Sequence, residues 1–188
     1  MNRQDTKEKI LHAAMELITE GNGDQQITMR QIASRADVNL ALVNYHYKSK
    51  ENLLSQVVGT IMGDLIAQTT QDITGTDALT RLKDMLLATA DAAFKLGNVS
   101  RIAILMELKA GCRNSCELVT PLLKEILPDC DNSDISIIAL QIMMPFHHIV
   151  VDPVLYGNYL YTDFFNEDKR RQKISEMIDC ILMGRIKE

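Results

Sequence analysis

The chain of 188 residues has no tryptophan and only four phenylalanines and five tyrosines. Large aromatics therefore cannot dominate its core. Ten methionines are present instead, and their flexible thioethers fill irregular spaces. There is no Gly-rich phosphate loop, no paired-carboxylate signature and no nucleophile elbow. No enzyme constellation assembles, so no catalytic residue, cofactor or metal is assigned. Strand patterns, internal repeats and low-complexity tracts are missing too, which leaves an all-α class. The polar, charged stretch from Asn2 to Lys9 is no secretory signal, and no transmembrane run is read. A cytoplasmic protein without a membrane partner is expected. Its four cysteines, Cys112, Cys116, Cys130 and Cys180, are then reduced.

An excess of positive charge is lacking as well: the net charge is −5. The deficit is uneven. Residues 1–50 carry seven basic and six acidic side chains, and the acidity lies in residues 51–188. Phosphate neutralisation is local, so a mildly positive module binds nucleic acid when its cations share one face and it dimerises.

What is present is helical periodicity. Ile10, Ala13, Ala14, Leu17 and Ile18 mark an amphipathic helix over 6–20, stopped by Gly21-Asn22-Gly23-Asp24. Thr28 is the next N-cap, followed by a helix over 29–36, a turn at Asp37-Val38-Asn39 and a short helix over 40–46. Ser49 caps a longer helix with Leu53, Leu54, Val57, Val58, Ile61, Met62, Leu65 and Ile66 on one side. Helices follow over 77–96 and 99–127, the latter broken near Gly111 to Ser115. Thr120-Pro121 has the form of an N-cap and N1 pair. Ser133 caps an apolar segment reaching Val151, which Pro145 should kink or split. Residues 152–166 read as irregular, and 167–184 as the last helix.

Segment 28–47 has the arrangement of a helix-turn-helix. Ile32, Ala33, Ala36, Val38 and Val43 point inward by periodicity, and the small alanines allow a steep helix crossing. The second helix would enter a major groove. Its outward residues are Leu40, Ala41, Leu42, Asn44, Tyr45 and His46. Asn44 suits base edges or phosphate, and the apolar group at 40–42 suits thymine methyls. Tyr45, His46, Tyr47, Lys48 and Lys50 suit phosphates.

With those residues in view, the chain resembles the TetR family of transcriptional regulators. The matching pattern is Thr28-x-Arg30-x-Ile32-Ala33-x-x-Ala36-x-Val38, then Val43-Asn44-Tyr45-His46-Tyr47-x-Ser49-Lys50-Glu51-x-Leu53-Leu54, preceded by Lys9-Ile10-Leu11-x-Ala13-Ala14-x-x-Leu17. It covers roughly residues 6 to 54. The family commonly has Gly where Asp37 stands, a position Asp tolerates better than most residues. The resemblance implies a three-helix DNA-binding domain, here 1–48. It also implies a larger helical domain, 49–188, that binds an effector and joins two subunits through C-terminal helices. By the family pattern Thr28, Arg30, Tyr45, His46 and Lys50 contact double-stranded operator DNA, and Leu40 to Leu42 face bases. The expected function is a ligand-responsive dimeric repressor. The alternative is a helical small-molecule-binding or interaction protein without a DNA function.

Outside the motif the candidates are fewer. Met62, Met85, Phe94, Met106, Met143, Phe146 and His147 are effector-pocket candidates by residue type, with Tyr156 beside them, although such stripes also make ordinary core. Cys112 and Cys116, with Cys130, His147, His148 and Asp152, could serve a soft metal or redox sensor, but the spacing lacks the two-residue gap of zinc sites. Lys169-Arg170-Arg171 reads as a solvated first turn, its charge opposed to the helix dipole.

Overall fold

A computed structural model of the chain describes residues 3–20, 27–71 and 76–185. The expected helix stop at Gly21 to Asp24 lies outside the described residues. Among the described residues there are ten helices and no strand. They are α1 (Arg3–Glu20), α2 (Met29–Arg35), α3 (Leu40–Tyr47), α4 (Lys50–Gln71), α5 (Ala78–Leu96), α6 (Asn98–Lys109), α7 (Arg113–Ile126), α8 (Asn132–Val151), α9 (Pro153–Leu160) and α10 (Glu167–Leu182).

Local chemistry starts most of these helices. Thr28 caps α2 in a full capping box: Thr28 Oγ1 accepts from the Gln31 N–H, and the Gln31 side chain accepts from the Thr28 N–H. Asn39 caps α3 by accepting from the Leu42 N–H at 2.8 Å. Ser49 accepts from the Asn52 N–H at 3.1 Å and caps α4, as its position suggested. Asp37 takes φ +52 in the turn between α2 and α3, the left-handed conformation that Asp tolerates and bulkier residues resist.

Several boundaries differ from the sequence expectation. Thr120-Pro121 does not begin a helix. Pro121 sits inside α7, and the Thr120 hydroxyl donates to the Cys116 carbonyl at 2.8 Å. Asp131 rather than Ser133 caps α8, accepting from the Asp134 N–H. Pro145 does not split α8, because Ile142 and Met143 before it and Phe146 and Ile149 after it are all buried. Tertiary burial of both halves outweighs one lost backbone bond. The supposed loop after Val151 holds α9. Asp152 is its N-cap, accepting from the Leu155 N–H, and Pro153 is its first residue.

Two hydrophobic cores result. The N-terminal core packs Ile10, Ala14 and Ile18 of α1 with Ile32 of α2, Val43 and Tyr47 of α3, and Leu53, Leu54 and Val57 of α4. Val99 and Ala103 of α6 join it. The larger core is built by α5, α7, α8 and α10, with Leu82, Leu123, Ile138 and Ile178 nearly inaccessible. Each such buried aliphatic side chain contributes roughly 1.5–3 kcal/mol of transfer free energy. Met62 of α4 packs against both cores. The boundary proposed at residue 48 therefore falls between helices, but not between cores: the N-terminal core extends into α4 as far as Val58 and includes part of α6. By length and composition α8 is apolar enough to cross a bilayer, contrary to the sequence expectation, yet half of that stretch is buried inside the bundle.

Candidate nucleic-acid interface and interior cavity

α3 buries Val43 and Tyr47 and leaves its other side chains exposed or half-buried. Ala41, Asn44 and Tyr45 are exposed, Tyr45 by 60 %. Leu42 and His46 are half-buried, and Leu40 is half-buried against the N-terminal core. The Tyr45 and His46 rings meet edge to face at 5.3 Å. Arg30 is exposed on α2, and Lys50 is half-buried at the start of α4. Thr28 is exposed too, although its hydroxyl is engaged with Gln31 in the capping box. Eight of the nine sequence-predicted contact residues thus lie on α2, on α3 or at the N-cap of α2, and the ninth, Lys50, opens α4.

Tyr47 departs from the expectation. It is 2 % exposed and its hydroxyl donates to the Lys7 carbonyl of α1 at 2.8 Å. Burial pushes its pKa up to about 12, so it stays a protonated donor. It positions α3 against α1 and offers no surface to a phosphate. Arg35 is also occupied, forking onto Glu20 at 2.7 and 2.9 Å and reaching Glu16 at 3.2 Å. Among the described residues Arg30, Lys48 and Lys50 form no salt bridge and remain as cations of this surface.

Behind the N-terminal unit lies a cavity of about 800 Å³ bordered by α1, α4, α5, α6, α7 and α8, open to solvent where Gln56, Asn114 and Glu117 are exposed. Met62, Met143, Phe146 and His147, four of the predicted pocket residues, line it. The other three do not. Met85 is buried in the larger core, Met106 is half-buried elsewhere on α6, and Phe94 lies under the Arg170 guanidinium at 4.6 Å. Tyr156 stacks on His148 instead. The polar lining from Gln56, Thr60, Glu107, Asn114 and Ser115 was missed. No local pattern announces it, since those residues converge from three helices; a lone Glu in the apolar run of α6 was the one available signal.

Glu107 accepts from the Ser115 N–H at 3.0 Å, from its hydroxyl at 3.2 Å and from the Asn114 amide at 2.9 Å. Burial works to raise its pKa, but these donors prevail and hold the carboxyl below its usual range. His147 is buried, and desolvation takes its pKa down to about 4, so it is neutral near pH 7. Its Nδ1 lies 3.4 Å from the Cys112 sulfur. Burial, aided by Glu107, pushes the Cys112 thiol up. Cys112 is thus a protonated thiol packed on His147 and Met144. Among the described residues no three His, Cys, Asp or Glu side chains are grouped to hold a metal.

The basic cluster at 169–171 is not a solvated turn. Arg170 is 5 % exposed; it donates to Asp91 of α5 and to the Phe164 carbonyl, and Arg171 reaches the same Asp91. The cluster fastens α10 to α5.

Comparison with known proteins agrees with this geometry. Residues 10–57 match the family profile described as bacterial regulatory proteins, tetR family. An uncharacterized HTH-type transcriptional regulator in the dhlA 5′ region of Xanthobacter autotrophicus is 43 % identical over 54 residues. That match spans 29 % of this chain and 26 % of the relative. The whole fold is similar to a TetR transcriptional regulator from Rhodococcus sp. RHA1, with TM-score 0.65 and 15 % identity over 98 % of each chain. A second transcriptional regulator from Rhodococcus sp. Rha1 gives 0.58 and 17 %, covering 95 % of this chain and 96 % of that one. Residues 10–57 thus carry the N-terminal module of the tetR family of bacterial regulatory proteins, and the all-helical fold of the chain is similar to that of solved regulators.

Proposed function

We propose that the protein is a homodimeric transcriptional repressor, rather than an enzyme, that acts in the cytoplasm and leaves its operator when a small molecule fills the interior cavity. In this reading residues 1–48 bind DNA and 49–188 bind the effector and the second subunit. α3 enters the major groove with Leu40, Ala41, Leu42 and Asn44 toward bases. Thr28, Arg30, Tyr45, His46 and Lys50 grip phosphates and set the register. Two such heads call for a pseudo-palindromic operator with half-sites one turn or more apart.

The observation that carries the control mechanism is shared structure. α4 and α6 line the cavity through Met62, Ala103 and Ile104, and the same two helices enter the N-terminal core through Leu53, Val57, Val99 and Ala103. A ligand that prefers one setting of these helices therefore biases the position of α3. The shift it achieves is limited by its differential affinity for the two settings. The dimer is supported by the outer face of α8, where Ile137, Leu140 and Met144 stand exposed.

A gel shift with the region upstream of the protein's own gene tests the DNA reading. Specific, salt-dependent binding is expected. Tyr45→Ala and Lys50→Ala should each weaken it by about 1 kcal/mol or more across sequences, and the lysine variant should flatten the salt slope by about one. Unchanged affinity in both variants overturns the residue assignment.

A further inference from the structure

The cavity has an imbalance of charge. Its lining includes two carboxylates, Glu107 and Glu117, and among the described residues no Lys or Arg. Glu117 is exposed and pairs with Arg113 at 2.9 Å, so its charge is largely compensated. Glu107 differs. Its three hydrogen-bond donors are the amide and hydroxyl of Ser115 and the amide of Asn114, all neutral. No lysine or arginine forms an ion pair with it among the described residues. The nearby His147 is buried and neutral, and Cys112 is a protonated thiol. The remaining walls are mostly apolar, from Val58, Met62, Ile66, Met143 and Phe146, with the uncharged polar side chains of Gln56, Thr60 and Thr89 between them.

We infer that this cavity selects an amphipathic cation, an apolar body carrying a positive charge, and that Glu107 receives the charge. The inference rests on the cavity being the effector site and names the class of effector. A carboxylate held in place by three donors is preorganised, so little ordering is needed when a cation arrives. In partly apolar surroundings its attraction for a cation, and its repulsion of an anion, are stronger than in water. Phe146 adds an aromatic ring of the kind that attracts a desolvated cation. The volume of about 800 Å³ suits a ligand of drug size. Organic anions find no cationic partner among the described lining residues, so carboxylate and phosphate effectors are disfavoured.

Tetraphenylphosphonium and tetraphenylborate test this, being alike in shape and opposite in charge. Titration calorimetry on the full chain should show the phosphonium bound at least about tenfold more tightly. The borate partitions at least as readily into apolar surroundings, so shape and hydrophobicity cannot produce that preference. Glu107→Gln should weaken phosphonium binding by about tenfold or more and abolish the preference, whereas Glu176→Gln, on α10 and outside the cavity, should leave it within about twofold. The comparison on the unaltered protein stands even if Glu107→Gln folds poorly. Equal or tighter binding of the borate, binding of neither ion, or a preference that survives Glu107→Gln overturns the inference. A gel shift with added phosphonium separates it from the regulatory reading. Glu107-dependent binding that leaves the operator complex intact upholds the charge assignment and removes the effector role. Release of the operator by a neutral or anionic compound, with no phosphonium preference, upholds the role and removes the charge assignment.

Discussion

At the scale of single residues, Tyr45 and Tyr47 show how much two positions on one helix can differ. Both belong to the same polar aromatic cluster in the sequence, and both were read as phosphate ligands. A step of two residues on α3 turns a side chain through more than half a turn of the helix. Tyr45 is 60 % exposed and Tyr47 is 2 % exposed. Composition named the cluster but periodicity had to divide it, and the short helix gave too few apolar positions to settle the buried face at its end. Exposed Asn44 and buried Val43 were legible because their polarity matches their place. Tyrosine suits either place, and its hydroxyl found the Lys7 carbonyl. Tyr47→Phe should therefore cost about 1 kcal/mol of stability, since it removes one net hydrogen bond between α3 and α1. Urea denaturation checks the cost. Operator affinity of the folded protein should stay within about twofold, which separates Tyr47 from a phosphate contact whose loss weakens binding tenfold.

Between elements, the informative contacts were those that no local pattern encodes. Arg170 and Asp91 are 79 residues apart in the chain, yet Arg170 Nε donates to the Asp91 carboxylate at 3.0 Å. The basic triplet at 169–171 was legible as charge but not as a clamp, because its partner sits on α5. Asp91→Ala should destabilise the protein by about 3 kcal/mol or more, because it strands a guanidinium that is 6 % exposed with little beyond the Phe164 carbonyl. Asp91→Asn, which keeps an acceptor, should cost less; thermal and urea melts of the two variants check the order. The junction of α7 and α8 carries a second dependence, on pH. His147 has a folded-state pKa near 4, against about 6.5 for an unfolded histidine. Above pH 6.5 neither state binds the proton and the full stability is present. As pH falls from 6.5 toward 4, the unfolded chain takes up a proton that the folded one refuses. Between pH 7 and pH 5 this loss should amount to about 2 kcal/mol. His147→Gln should lack that part of the decline, and urea midpoints at the two pH values will show whether the wild type falls more steeply.

For the whole molecule, class and domain order were legible because long amphipathic helices and a short helix-turn-helix both leave periodic signals. Helix boundaries were less so where proline misled. At Pro121 and Pro145 burial of flanking residues carried the helix through, and at Pro153 an Asp-Pro pair that begins α9 passed for loop. The quaternary arrangement draws on a different signal, the apolar surface that the fold leaves uncovered. α10 turns Ile174, Ile178 and Leu182 into its own bundle and shows a polar outer face. α8 is apolar on both sides: Ile138, Ile142 and Phe146 face the core, while Ile137, Leu140 and Met144 recur at spacings of three and four on the outside. Val154, Leu155 and Tyr159 of α9 extend the exposed apolar surface. Patches of this kind mark protein contacts, so α8 and α9 are the stronger part of the expected dimer face and α10 the weaker. Ile137→Glu combined with Leu140→Glu places two like charges on that stripe without touching either core. The variant should still unfold cooperatively, as a folded monomer, but at a lower temperature than the wild type, because a bound second subunit stabilises the native state by mass action. Sedimentation velocity should show the wild type as a dimer and the variant as a monomer. A lone head also loses the gain from two linked contacts on one operator, so affinity should fall by about 10²–10⁴-fold. A variant that still sediments as a dimer would move the interface off α8, and a monomer with undiminished operator affinity would remove the need for two heads.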